Sequence, residues 1–142
     1  MDAARRGPYG AGMLPDTAGD FPRAFSQAFA TQSGADIAAL LAPDGQGLTL
    51  SGQWAEDRAA MESAWAAEFS GLLARARLVT GRVNLRMLGP GAAVLSQRYV
   101  VSGALDAAGA EMPRIPAVLA AVIIATTGGW QAVSLSFSAI SD

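Results

Sequence analysis

The chain contains no cysteine, no histidine and no lysine. The missing cysteine excludes disulfides and thiolate catalysis. The missing histidine removes the commonest general base and the commonest metal ligand. Any acid–base chemistry therefore falls to Asp, Glu, Tyr or arginine-assisted water. All ten basic residues are arginine, and against 12 acids they leave a formal charge of -2. That balance gives no electrostatic support for a nucleic-acid role. Long apolar runs are also missing: the longest, 117–125, is far too short to cross a bilayer. Arg5-Arg6 is not followed by the apolar segment of a signal peptide. The expectation is a cytoplasmic protein with no nucleic-acid partner, no membrane partner, no metal and no cofactor. Abundant Ala and Gly fit a GC-rich bacterial genome, and 142 residues are enough for one domain with a sizeable core.

What is present is a run of four strands over residues 77–138. Residues 77–88 alternate, with Val79, Val83, Leu85 and Met87 on one side and Thr80, Arg82, Asn84 and Arg86 on the other. Leu88-Gly89-Pro90-Gly91 breaks that run as a hairpin loop would. A second run covers 92–105 and is closed by Asp106-Ala107-Ala108-Gly109. The third, 115–126, is apolar on both faces, unlike an antiparallel strand with one wet side. Thr127-Gly128-Gly129 is a hairpin signal. The fourth run, 130–138, sets Val133, Leu135 and Phe137 against Ala132, Ser134, Ser136 and Ser138.

Helical patterns precede the strands. Residues 1–19 hold scattered Gly and Pro without a period and read as a mobile or loosely docked tail. Asp20 is the expected N-cap of a first helix, with Pro22 in its first turn. Phe21, Phe25 and Phe29 recur every four residues and share one face, a core stripe. A short second helix is expected over 35–42, stopped by Pro43-Asp44-Gly45, and a short strand over 47–52. Glu56 or Asp57 starts the longest helix, whose stripe is Met61, Trp65, Phe69, Leu72 and Leu73. Helices segregated from a strand meander mean an α+β class. The expected architecture is a curved antiparallel sheet wrapped around a long helix, a cone with a cavity and one open mouth. Its boundaries are a tail at 1–19 and a single domain at 20–142.

Three stretches carry a resemblance: DIAALLAPDG at 36–45, GQWAEDRAAMESAW at 52–65, and LGPGAAVLSQRY at 88–99 followed by Gly128-Gly129-Trp130. Together they resemble the nuclear transport factor 2-like, or cystatin-like, superfamily, and within it the SnoaL-like and ketosteroid-isomerase-like bacterial domains. The resemblance implies the cone fold and a homodimer. Its isomerases use an aspartate base, a tyrosine donor and a protonated aspartate. Those positions fall on Thr49, Phe25 and Ala121 or Val122, so none of the three roles is filled.

The candidate ligand-binding residues are Trp54, at the expected cavity mouth, Arg98 and Tyr99, mid-strand, and Ser134 and Ser136, which share a face. Arg98 and Tyr99 are adjacent on a strand and point to opposite faces, so they do not share one pocket directly. Asp44 reads as a turn residue. Glu56, Asp57, Glu62 and Glu68 read as a solvated helix face. Three functions compete. The first is a binding protein with an apolar cavity for a small hydrophobic or mixed-polarity molecule. The second is a cyclase, dehydratase or isomerase of different chemistry. The third is a dimerisation or protein-interaction module. Converging polar groups in a pocket favour the first two; an interior filled by Phe25, Trp65 and Phe69 favours the third. A homodimer through the convex sheet face is expected from 115–126 with Val133, Leu135 and Phe137.

Overall fold

The computed structural model describes residues 14–141, so most of the expected tail, 1–13, lies outside the described residues. The helices are α1 (Phe21–Thr31), α2 (Gly34–Ala38) and α3 (Arg58–Ser70). The strands β1 (Leu41–Leu48) and β2 (Trp54–Ala55) lie between α2 and α3. After α3 come β3 (Arg77–Met87), β4 (Ala92–Ser102), β5 (Ile115–Thr126) and β6 (Gly129–Ala139). All six strands form one open sheet in the order β2-β1-β6-β5-β4-β3. The class is α+β. β3 to β6 form an antiparallel meander, but β1 runs parallel to β6. The sheet is therefore mixed, where a purely antiparallel one was expected.

Local chemistry sets each helix end. Thr17 supplies a cap upstream of the expected one, its hydroxyl accepting from the Asp20 N–H at 3.2 Å over a 3-10 turn at Ala18–Asp20, and Asp20 stands at the N-cap position of α1 with Pro22 in its first turn, as expected. Asp20 makes no side-chain cap bond. Phe21, Phe25 and Phe29 are all buried. Gln32 closes α1 at φ 57 and its side-chain amide donates to the Leu73 carbonyl at 3.1 Å. α2 is short and close-packed: a Cβ on Gly34 would overlap the Glu62 carbonyl and the Ala66 nitrogen of α3. Asp57 caps α3 by accepting from the Ala60 N–H at 2.8 Å. Glu68 is not on a solvated face. It is 3% exposed and accepts from the Ser51 N–H at 2.9 Å and the Ser51 hydroxyl at 2.6 Å, pinning the turn before β2.

The segment 35–52 departs from the sequence reading. The helix ends at Ala38, and the chain enters β1 at Leu41. Pro43, Asp44 and Gly45 sit inside that strand, where the register with β6 shifts between Leu41 and Gln46. LAPDGQGL has neither alternation nor β-branched residues; its strand character comes from pairing with β6, a tertiary effect that local pattern does not carry. Residues 14–18, expected within the tail, make contacts with the domain. Trp130 donates its backbone N–H to the Pro15 carbonyl at 2.9 Å, and Ala18 is buried, so 14–18 dock on the β5–β6 hairpin.

Directly opposed strand residues share a face. The inner face carries Ala93, Leu95, Gln97, Tyr99 and Val101 of β4, Ala117, Leu119, Ala121 and Ile123 of β5, and Ala132, Leu135 and Phe137 of β6, all buried. A bulge corrects the expected faces of β6: Ser134 opposes Val122 while Ala132 opposes Ile123, which leaves Val133 as the extra residue. A second bulge lies in β3. Thr80 opposes Tyr99 but Val83 opposes Gln97. Val79 therefore faces outward with Val100, while Val83, Leu85 and Met87 face inward, not all four together. The Gln97 amide, 2% exposed, donates to the Gly81 carbonyl at 2.7 Å and the Arg98 carbonyl at 2.9 Å and so holds the bulge.

The interior is filled. Phe25, Phe29, Trp65, Phe69, Tyr99 and Phe137 form one cluster with ring centroids 5.3–6.2 Å apart. Trp65 is fully buried, and its indole N–H has no hydrogen-bond partner among the described residues.

Candidate functional site

With the interior packed, open space remains where the edge of the sheet curls past α1. Two hollows lie there. One, about 650 Å³, is lined by Ser26, Phe29, Ala30 and Gln32 of the α1 side and by Arg75, Ala76, Arg77, Leu78 and Thr80 of the β3 side. The other, about 330 Å³, is lined by Gly19, Asp20, Pro22, Arg23, Ser26, Thr80, Val83, Gln97 and Tyr99. Ser26 and Thr80 line both, so the two are read as one groove between α1 and β3. Its floor is the edge of the aromatic cluster.

Tyr99 is the polar centre. It points inward from β4, packs its ring at a tilt against Phe25 and edge-on against Phe137, and places its hydroxyl 2.9 Å from the Ser26 hydroxyl. Burial pushes the phenol above the usual tyrosine range, and the Ser26 hydrogen bond pulls it back the other way. At neutral pH the phenol is protonated, a hydrogen-bonding group and not a base. The nearby charges are Arg75 and Arg77 in the larger hollow and Asp20 and Arg23 in the smaller one.

The other sequence candidates do not join Tyr99. Trp54 is 54% exposed on β2, at the opposite edge of the sheet from β3. Arg98 opposes Val118 on the outer face and lines a separate hollow of about 440 Å³ with Asn84 and Ser96. Ser134 and Ser136 oppose Val122 and Ala120, also on the outer face, so they do not line the interior. Leu135, expected on a convex interface, is 1% exposed inside the core. The alternation separated these groups correctly into two sets; which set faces the helices is fixed by packing. Ser26, Thr80 and Gln97 were missed. The mid-strand glycine Gly81 was the available signal for Gln97, since a glycine inside an alternating run marks a bulge whose carbonyls need donors. Thr49, at the position of the isomerase base, is 1% exposed and its hydroxyl accepts from the Gln53 N–H at 3.1 Å. Among the described residues no three Asp or Glu side chains are placed to hold a metal ion, and no helix is long and apolar enough to cross a membrane.

No family model and no curated protein sequence matches the chain. Solved structures do. An uncharacterised protein with a cystatin-like fold from Caulobacter vibrioides has a TM-score of 0.74 at 18% identity, covering 84% of each chain. A proposed calcium/calmodulin-dependent protein kinase II association domain from Xanthomonas campestris reaches 0.72 at 20% identity, covering 92% of this chain and 97% of that one. The fold is the nuclear transport factor 2-like cone. A proposed dehydratase of the nuclear transport factor 2-like family from Streptomyces avermitilis agrees at 0.71 and 14% identity, over 87% of this chain and 94% of that one. Identities this low speak for the cone and not for its chemistry. In this cone six rings occupy the centre, and the Tyr99 and Ser26 hydroxyls lie at the edge of that cluster beside the groove.

Proposed function

We propose that the protein binds a small molecule of mixed polarity in the groove between α1 and β3, with the interior serving as a packed wall. The supporting observation is the Tyr99–Ser26 pair at the junction of two hollows, flanked by Thr80 and Gln97. A concave site with a few convergent polar groups and an aromatic floor is the usual form of a ligand pocket. Native mass spectrometry of the purified protein is the test, against Thr80→Trp. Thr80 is exposed and lines both hollows, so an indole there fills the groove from its solvent side without replacing a core side chain. A bound small molecule in the parent and its loss from a folded Thr80→Trp variant is the expected result. Equal retention in both overturns the reading.

A second reading, an interaction module, is the one that the interior filled by Phe25, Trp65 and Phe69 favours, and it rests on the outer sheet face. Val79 and Val94 are 56% and 42% exposed there, beside Val118, Val122 and Ile124, while the helices pack on the inner face. A second copy would bury this face by two-fold pairing, over roughly 1,200–2,000 Å² if the interface is of standard size. The probe is Val122→Arg in place of a change at Leu135. Sedimentation at micromolar concentration should move from dimer to monomer with little change in melting temperature. A monomeric parent protein would refute this reading.

A further inference from the structure

The outer face of the meander carries charge of one sign. Strands β3 to β6 hold four arginines, Arg77, Arg82, Arg86 and Arg98, and no Asp or Glu. Arg77 opposes Ser102, Arg86 opposes Val94 and Arg98 opposes Val118, all on the face turned away from the helices. Arg82 joins them at the β3 bulge. There two residues, Gly81 and Arg82, stand against Arg98 alone. Two cations thus face one another across a strand pair, an arrangement that destabilises a sheet unless something offsets it.

The bulge is held firmly from behind. From the inner face the buried Gln97 amide donates to the carbonyls of Gly81, Arg82 and Arg98, at 2.7, 3.3 and 2.9 Å. One side chain therefore fixes the backbone from which both arginines project. Glycine at 81 leaves room beside them, since a Cβ there would stand 3.2 Å from the Arg98 Cβ. The result is the hollow of about 440 Å³ that Arg82 and Arg98 line together. Asn84 and Ser96, partners across the same two strands, line it too. The side chains of Arg82, Asn84 and Ser96 make no hydrogen bond or ion pair with a described residue. Arg98 is engaged already, but a guanidinium has five N–H donors and one contact does not exhaust them. Among the described residues no acid lines the hollow, and Val100 and Pro116 give it an apolar rim.

We infer that this hollow is an anion site for a small phosphate monoester, held by Arg82, Arg98, Asn84 and Ser96, with its organic part on Val100 and Pro116. The charge matches: two guanidinium groups meet a group that carries about -1.5 to -2 at neutral pH and offers three acceptor oxygens. The geometry matches as well. A carboxylate is planar, and one arginine satisfies both of its oxygens. Donors converging from two strands on one space suit a tetrahedral group with three. The bound anion also offsets the repulsion between the opposed arginines. The site lies on the other face of the sheet from the Tyr99–Ser26 groove and does not rest on the binding reading above.

The experiment titrates the full, isotopically labelled chain with phenyl phosphate and follows backbone amide shifts by NMR. Saturable shifts at Gly81, Arg82, Asn84 and Ser96, with none at Ser26 or Gln32 of the groove, are the expected result. Benzoate, with a single charge, should bind more weakly by about tenfold or more. Arg82→Gln, at an exposed position, should weaken phenyl phosphate by about tenfold or more, the worth of one charge-assisted hydrogen bond. Arg86→Gln is the control. It removes the same charge from the same face but does not line the hollow, and it should leave the affinity within about twofold. Equal losses in the two variants overturn the site, because a diffuse positive face would then do the binding. Benzoate bound as tightly as phenyl phosphate, shifts confined to the groove, or no saturable shift at all overturn it too. Inorganic phosphate bound as tightly as phenyl phosphate overturns the monoester assignment and leaves a site for the free ion.

Discussion

Gly47→Ala is expected to unfold the domain or bring it close to unfolding. Gly47 of β1 pairs with both neighbours, opposite Leu135 of β6 and Ala55 of β2. A Cβ built on it runs into the Leu135 carbonyl group, backbone that cannot rotate away. Relief requires β1 to leave β6, which would strip the cover from Leu41, fully buried, and disturb the Arg58 guanidinium that donates to the Leu41 carbonyl. A loss of about 4 kcal/mol or more is the expected size, a large share of the stability of a small domain. Urea unfolding followed by circular dichroism is the measurement, with Gly91→Ala as control because a Cβ there meets nothing within 4 Å. A Gly47→Ala protein within about 1 kcal/mol of the parent would mean that the close β1–β6 approach is not needed.

Trp65→Ala should cost about 3–5 kcal/mol, the usual range for deleting a buried large aromatic side chain. Its ring touches those of Phe25, Phe29, Phe69 and Phe137 at 5.5–6.1 Å, and every one of those contacts is lost. Trp65→Phe should cost much less than its lost volume suggests, because it also removes a buried N–H that has no partner. The truncation turns a packed cone into a hollow one. An apolar cavity of this kind stays dry and accepts small aromatic molecules, so millimolar indole should raise the melting temperature of Trp65→Ala and leave the parent unchanged. Absence of that rescue, with the variant folded, would show that the surrounding rings collapse into the space.

The strands of the meander and the stripes of α1 and α3 were legible because each repeats one period for ten residues or so. β5 was read with its observed bounds, and the start of α3 was placed at Glu56 or Asp57, of which Asp57 is the cap. β1 was not legible: Pro43, Asp44 and Gly45 look like a stop when read locally, and only β6, far along the chain, makes them part of a strand. The site fared worse for a related reason. Alternation separates Arg98 from Tyr99, but the choice of inward face belongs to Phe25 and Phe137, which sit on other elements and close over Tyr99. The bulges at Gly81–Arg82 and Val133 each exchange the two faces of a strand partway along. A reading that keeps one phase from end to end therefore assigns Val79 and Ala132 to the wrong side.

The parallel pairing of β1 with β6 also bears on how the chain assembles. Leu48 and Ser136 are partners, roughly ninety positions apart. The hairpins β3–β4 and β5–β6 can form from near neighbours, whereas β1 has only the two-residue β2 nearby and no longer template until β6 is in place. Loop closure over such a span is paid in chain entropy before any contact repays it. Docking of β1, and with it the loop that Glu68 pins through Ser51, should therefore be a late event on the folding route. Substitutions in β1 would then accelerate unfolding and leave the refolding rate nearly untouched, and changes in the meander would slow refolding.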